Sequence, residues 1–393
     1  MNSTHIVFAA RGGAGLAAQR FHEMQSLAGF NSEIVVKVNN LFFLNALRNP
    51  LVSISAVLDR FLTKDPRNYF FSIFRSRIKH KSTFRKVNSI IHLHWIPGVV
   101  SLGELSDLAA RSLKVFVHLH DMWFLTGGCH HSLECNQYLS NCQSCPQILP
   151  QIRKSVAASK MLKNNFLMKD NVFLIAPSTW MLNKVKFMNP DLYKKCIVVH
   201  NPINIDAYKP VSKPLAKKLL SLQPHSLVLG FVATNLELES KGIQKFIDFL
   251  ESKYQLNDLP LSLLLLGRGN IKSKFNIIKM GHTSNPAQQS LAYSAMDLFI
   301  NPSKVESFSY TNLEASLHGT PVLTIANGGS LDTLSENVSG YTVNSYDELL
   351  SKIHTLINDR SLYERIASSG RDFVIKNFSY PVINSKVMQY YLD

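Results

Sequence analysis

Leu298-Phe299-Ile300-Asn301-Pro302-Ser303-Lys304-Val305-Glu306-Ser307-Phe308-Ser309-Tyr310-Thr311-Asn312-Leu313-Glu314 reads as strand, loop and helix in immediate succession. Leu298 to Ile300 is a short apolar run of the kind that is buried in a parallel sheet. Asn301 to Tyr310 is a loop, and Thr311 to Leu317 has a helical pattern that Gly319 closes. Glu306 and Glu314, with seven residues between them, therefore stand beyond the carboxyl end of a strand, where open α/β sheets bind ligands. A helix start offers free N–H groups and the positive end of a dipole to a diphosphate, while carboxylates accept from vicinal hydroxyls. Two solvated glutamates near a helix start are the plain alternative.

Working outward, the same rhythm recurs. Strands are predicted at Leu227–Thr234, Leu261–Leu266, Ile277–Met280 and Pro321–Ile325, with a helix over Lys241–Lys253. In the first half, strands are predicted at His5–Ala10, Ser32–Val38, Ile90–His94, Lys114–Leu119, Val172–Ala176 and Cys196–Val199. A glycine-rich loop, Arg11 to Gly15, follows the first of these and leads into a helix from Leu16 to Ala28. Short strands alternating with helices imply an α/β chain with parallel sheets. The Pro- and Asn-rich segment from His200 to Pro214 is the expected hinge. The division is 1–205, 206–375, and a last segment 376–393.

The residues around the glutamates carry a resemblance. Pro302-Ser303, Glu306, Glu314-Ala315, Gly319-Thr320-Pro321-Val322, Gly328-Gly329 and Gly340 stand in the order and spacing of the donor-binding half of the retaining glycosyltransferases called family 4, which have the GT-B fold. Lys241-Gly242 looks like the family's Lys-Gly, Gly267-Arg268-Gly269 like its Gly-x-Gly, and Asn201-Pro202-Ile203-Asn204 like its hinge motif. The resemblance implies two doubly wound Rossmann-like domains facing across a cleft, with the last helix, Pro381 to Tyr391, packing back on the first.

It also implies roles. Glu314 would accept from the donor's ribose, Glu306 from the transferred sugar, and Lys241 would neutralise the diphosphate. Backbone around Ser307, Phe308, Ser309, Thr311 and Asn312 would line sugar and phosphates. The family's usual Arg before the Lys is missing, since the strand ends Val232-Ala233-Thr234-Asn235. The leaving charge then falls to Lys241, helix amides, Arg268 or Arg11. In the first half, His120-Asp121 resembles the family's His-Asp, whose histidine contacts the donor sugar near the reaction centre. Gly13, in the first glycine-rich loop, would approach the donor, and Gly12, His94 and Trp95 would line the acceptor side.

Cys129, Cys135, Cys142 and Cys145 lie within 17 residues, with Cys196 outside the cluster. Four thiols at this spacing suit a structural zinc, with His130 and His131 as substitutes; two disulfides or buried free thiols are the alternatives. Thr126-Gly-Gly-Cys129 and Cys142-x-x-Cys145 resemble a loop in enzymes that build colanic-acid-like exopolysaccharides. The chemistry itself is expected to need no cofactor.

The chain has 393 residues, 46% of them hydrophobic, and a formal charge of +15. That is material for two domains, and the charge calls for an anionic partner. No stretch has the roughly 18 to 20 uninterrupted apolar residues of a membrane span, and the N-terminus reads as a strand, so the expectation is a cytoplasmic protein. Between Arg60 and Lys86 nine Lys or Arg face one acid, Asp65, interleaved with Phe61, Tyr69, Phe70, Phe71 and Phe74. Such a segment suits the inner face of an anionic membrane; an amphipathic helix with its apolar side in the core is the other reading. No zinc-finger, RRM or helix-turn-helix signature is present, so nucleic acid is not an expected partner.

The sequence therefore predicts transfer of a hexosyl group from a nucleoside diphosphate sugar to a glycan or lipid-linked oligosaccharide in surface polysaccharide synthesis. A sugar-nucleotide epimerase, or a non-catalytic glycan or nucleic-acid binding protein of the same shape, is the competing expectation.

Overall fold

The computed structural model describes residues 1–38, 50–64, 71–74, 89–253 and 260–392. Most of the basic aromatic segment between Arg60 and Lys86 lies outside the described residues.

The chain divides into two compact units, 1–202 with 384–393, and 203–383. The first contains a six-stranded sheet in the order β2-β1-β3-β4-β5-β6: β1 Asn2–Ala9, β2 Asn31–Val38, β3 Ile90–Leu93, β4 Lys114–His118, β5 Val172–Ala176 and β6 Cys196–Val198. The second has the order β12-β11-β10-β7-β8-β9: β7 Leu227–Asn235, β8 Leu261–Arg268, β9 Asn276–Gly281, β10 Leu298–Asn301, β11 Val322–Ile325 and β12 Gly340–Val343. Every pairing in both sheets is parallel. This is the GT-B fold, with one doubly wound domain in each unit.

Burial explains the uniformly apolar strands. Leu227, Leu229 and Phe231 of β7 and Leu263 and Leu265 of β8 enter one core of the second unit; Val228, Leu264 and Leu266 enter another on the opposite face. Period-two side chains with helices on both faces leave no polar side to the sheet. In the first unit Ile6, Leu93, Val115, Val117 and Leu174 share a core with Trp123 and Phe166.

Seven helices matter below: α1 Gly12–Leu27, α2 Pro50–Phe61, α3 Arg153–Leu167, α4 Ile243–Lys253, α5 Tyr310–Leu317, α6 Arg360–Phe378 and α7 Tyr380–Leu392. The returning segment starts at 384 and not at the expected 376, because α6 buries Ile366, Val374 and Phe378 within the second unit. The division likewise falls at 202 in place of 205.

Each sheet has a point where successive connections leave in opposite directions and loops part to leave a crevice. In the first it lies between β1 and β3, in the second between β7 and β10.

Candidate active site

The carboxyl ends of β7 and β10 bring Lys241 and Glu306 together. A short 3-10 turn, Glu239–Lys241, ends in Gly242 at φ +67, where an added Cβ would lie 2.3 Å from the Pro302 carbonyl oxygen. Glycine is required there both by the left-handed backbone and by the contact. Lys304 N donates to Ser240 O at 2.7 Å, so the two loops are laced together. Lys241 Nζ then stands 2.6 Å from Glu306 Oε1. On the far side of the Glu306 backbone, Gly329 N donates to Glu306 O at 2.6 Å, and a Cβ on Gly328, at φ +51, would lie 2.2 Å from that oxygen. The Lys-Gly and Gly-Gly pairs are thus the backbone clearances that hold one carboxylate. Lys241 and Glu306, expected to meet the diphosphate and the transferred sugar, form an ion pair in this structure.

The loop from Asn301 to Tyr310 is fixed from within. Asn301 Nδ2 donates to Ser309 Oγ at 3.1 Å and to Asn312 Oδ1 at 2.9 Å, and Asn312 Nδ2 to Thr333 Oγ1 at 3.0 Å. Ser309 Oγ is also 3.1 Å from Thr311 Oγ1. The Phe308 ring packs against Tyr310 and Phe378. Of the residues expected to bind donor, the side chains of Phe308, Ser309, Thr311 and Asn312 therefore hold the loop, and the main chain is what they offer a ligand. Ser307 is buried beside them. Ser309 is the N-cap of α5 but makes no side-chain cap, which leaves the first-turn N–H groups without that partner.

Glu314, one helical turn further on, is only 5% exposed. Tyr208 OH donates to its Oε1 and Tyr293 OH to its Oε2, each at 2.9 Å. Neither tyrosine was singled out from sequence, since they lie 106 and 21 residues away.

Arg268 ends β8, with β7 between it and β10. It lines a cavity of about 340 Å3 with Gly267, Gly269, Lys279 and His282. A Cβ on Gly267 would lie 1.9 Å from Ala233 O, which accounts for the first glycine of that motif. Lys279 adds a cation there that the sequence reading does not single out, and His282 lines the same cavity.

In the first unit, α1 begins at Gly12, so Gly12 and Gly13 form its first turn and not the expected loop. An added Cβ on either meets nothing within 4 Å, while one on Gly15 would lie 2.3 Å from Ala9 O. Gly15 serves helix–strand packing; Gly12 and Gly13 leave an open approach. The N-cap, Arg11, makes no side-chain cap.

His120 follows β4 and is half-buried; its Nε2 is 2.8 Å from His94 Nδ1. His94, expected on the acceptor side, is buried in this structure. It is 2% exposed, and its other nitrogen is 3.0 Å from His5 Nδ1. Trp95 stacks on His130 at 5.3 Å and meets Phe8 edge-on. Asp121 turns away from His120: Oδ2 pairs with His130 Nδ1 at 2.6 Å and Oδ1 accepts from Trp123 N at 2.8 Å. Burial alone would raise its carboxyl, but the His130 ring holds it below the usual range.

Two lysines of α3 and the packing at two glycines hold the cysteine loop. Lys163 Nζ donates to Trp123 O and Lys160 Nζ to Leu125 O, both at 2.6 Å, from α3. A Cβ on Gly127 would lie 2.2 Å from Val156 Cγ1 and one on Gly128 2.7 Å from Ile73 Cγ1. Cys129, Cys142 and Cys145 are buried free thiols, and burial pushes all three up, Cys145 to about 11. Among the described residues, the group in which three metal-ligating atoms lie within 4.8 Å of one another is His94, His118 and His120; no three of the Cys129, Cys135, Cys142 and Cys145 sulfurs do so.

Comparison with known proteins finds a family match within the second unit. Residues 235–373 match the glycosyl transferases group 1. The capsular polysaccharide biosynthesis glycosyltransferase CapM of Staphylococcus aureus is 27% identical over 196 residues, 47% of this chain and 50% of CapM. The match thus spans about half the length of that curated relative. Among solved structures, sucrose-phosphate synthase from Thermosynechococcus elongatus has a TM-score of 0.66 at 15% identity, over 99% of this chain and 98% of that one. Anabaena HepE in complex with UDP-glucose has 0.64 at 16% identity, over 100% and 99%. At these identities the likeness is one of fold.

Proposed function

We propose that this chain, whose residues 235–373 form a glycosyl transferases group 1 domain, moves a hexosyl group from a nucleoside diphosphate sugar to a glycan hydroxyl with retention at the anomeric carbon. The observation that carries the reading is the Lys241–Glu306 pair at the crevice of the second sheet, beside the helix start that lacks a side-chain cap. A diphosphate finds there the Lys241 ammonium and the positive end of the α5 dipole. Glu306 accepts from hydroxyls of the transferred sugar and Glu314 from the ribose. As the C1–O bond to the diphosphate breaks, the acceptor oxygen bonds to C1 on the same face, and its proton passes to a diphosphate oxygen. Lys241 and the α5 amides stabilise the departing charge, and His120 hydrogen-bonds a sugar hydroxyl. CapM and HepE support the class of reaction and donor only as relatives.

The test is thermal unfolding with UDP, GDP, ADP and their common sugar conjugates. One nucleotide at about a hundred times its Kd is expected to stabilise the native state by about 2.7 kcal/mol, raising Tm by roughly 5 to 10 °C. Glu314→Gln, which keeps a partner for the two tyrosines, is expected to lose most of that rise. An equal rise in parent and variant would remove Glu314 from the donor site.

The acceptor is proposed to be lipid-linked at an anionic membrane surface, and α2 supports this. Leu51, Ile54, Leu58 and Phe61 recur on one face and are 66, 56, 43 and 76% exposed, whereas Ser55 and Asp59 are buried. Asp59 Oδ1 accepts from Ile73 N and Phe74 N, each at 2.9 Å, so the polar face is the anchored one. An apolar face turned outward on a helix that leads, in sequence, into a cationic segment suits a headgroup boundary. No helix among the described residues is long and apolar enough to cross a membrane. Sedimentation with anionic vesicles at low salt is expected to carry the protein down, and Leu58→Ser with Phe61→Ser to release it. Equal sedimentation with neutral vesicles would count against the electrostatic part.

A further inference from the structure

Seven side chains of the first unit form one continuous chain of hydrogen bonds that runs in two branches from Gln25. His120 Nε2 is 2.8 Å from His94 Nδ1, His94 Nε2 is 3.0 Å from His5 Nδ1, and His5 Nε2 is 2.9 Å from Gln25 Oε1. Gln25 Nε2 donates to Tyr391 OH at 2.5 Å, Tyr391 OH meets His92 Nε2, and His92 Nδ1 is 2.9 Å from His118 Nε2. The two branches lie on each other, with His5 stacked on His92 at 4.5 Å and His94 on His118 at 4.1 Å. Period-two alternation puts His92 and His94, and His118 and His120, on one face of adjacent strand ends. His5, His92, His94 and His118 are at most 2% exposed. Burial lowers all five imidazoles, His5 to about 3 and His120 to about 4, so near neutral pH each ring is uncharged and carries one N–H.

In an uncharged ring, fixing the role of one nitrogen fixes the other. The Gln25 amide oxygen only accepts, here also from Ser3 Oγ at 2.6 Å, so His5 bears its proton on Nε2. His5 Nδ1 then accepts from His94 Nε2–H, and His94 Nδ1 accepts from His120 Nε2–H. His120 is left with a bare Nδ1, the nitrogen that the chain does not engage. The geometry points to Gln25 as a positioning residue that sets the tautomer of His120 through two intervening rings, so that His120 Nδ1 accepts a hydrogen bond from a substrate hydroxyl. This rests on the proposed placing of His120 against the substrate.

The other branch runs the opposite way. Gln25 donates to Tyr391, Tyr391 donates to His92, and His92 Nδ1–H donates to His118, whose own Nδ1 is buried with no partner among the described residues. An amide turned end for end would reverse every bond in both branches and place the His120 proton on Nδ1. The position of one proton on His120 therefore reports the whole array. A metal held by His94, His118 and His120 would need the array broken, because both nitrogens of His94 are engaged in it.

The test uses the full chain with 15N-labelled histidine and reads long-range proton–nitrogen couplings of the imidazoles, with His120 assigned by its loss in His120→Gln. The parent is expected to show His120 protonated on Nε2. Gln25→Met, similar in volume but without the acceptor, is expected to give His120 a mixture of tautomers and to lower kcat/KM about fivefold to tenfold, the effect of one misdirected hydrogen bond. Tyr391→Phe, equally buried, cuts only the second branch; it should move the His92 and His118 signals and leave His120 and kcat/KM unchanged within about twofold. A parent His120 protonated on Nδ1, or a His120 tautomer indifferent to Gln25→Met, overturns the proposal. A tautomer that shifts in Gln25→Met while kcat/KM stays at the parent value overturns instead the placing of His120 against the substrate.

Discussion

Lys241→Met is expected to lower the rate of sugar transfer at least a hundredfold, about 2.7 kcal/mol of transition-state stabilisation. Two effects combine. The variant removes the ammonium paired with Glu306, and with it the side-chain cation proposed to meet the leaving diphosphate. It also leaves Glu306 as a carboxylate with no ion-pair partner among the described residues. A carboxylate about 6 Å from a phosphate oxygen repels it by about 3 kcal/mol at an effective dielectric of about 20. Solvent reduces that figure, since Lys241 and Glu306 are 29 and 17% exposed. Donor affinity should therefore fall as well as rate. The double variant Lys241→Met with Glu306→Gln separates the two effects, because removing the stranded charge is expected to restore much of the affinity and none of the rate. Steady-state kinetics on the parent, both single variants and the double variant give the cycle. A Lys241→Met enzyme within tenfold of the parent would exclude the ammonium as the main stabiliser of the leaving group.

That pair also shows what the sequence could and could not reveal. The strands around it are legible because apolar runs such as Leu298 to Ile300 are bounded by Pro and Asn, and their order along the chain makes a parallel sheet the economical arrangement. Gly242 and Gly328 are legible as glycines but not as clearances, because what they clear, Pro302 O and Glu306 O, lies elsewhere in the chain. The sequence reading does not anticipate strand β12, which is four residues long, stands at the edge of its sheet beside β11, and carries no run of apolar side chains. The start of α1 was placed four residues late because consecutive glycines argue against helix.

The histidine array was the least legible part. Its local signal was only the repeated spacing of two, His92 with His94 and His118 with His120. Gln25 and Tyr391, which join the branches, are 366 residues apart, and nothing in either neighbourhood marks them. Long-range polar networks leave no periodic trace, whereas core packing does.

The same array makes acid the expected weakness of the first unit. An imidazole whose folded pKa lies below its unfolded value contributes full stability above about pH 6.5 and loses it as pH falls toward the folded value, because only the unfolded chain takes up the proton. For His5, lowered to about 3, the loss at pH 5 is about 1.5 units at 1.36 kcal/mol each, or about 2 kcal/mol. His92, His94, His118 and His120 shift in the same direction, so their losses add to it. A domain of this size has about 5 to 15 kcal/mol in total. The three tryptophans, Trp95, Trp123 and Trp180, all belong to the first unit, so their fluorescence follows that unit alone while far-UV circular dichroism follows both. Between pH 7 and pH 5 the urea midpoint read by fluorescence is expected to fall steeply, with a second circular-dichroism transition surviving at higher urea. A fluorescence midpoint that stays constant over that interval would mean that the array accepts protons in the folded state, and the uncharged rings on which its tautomer order depends would be ruled out.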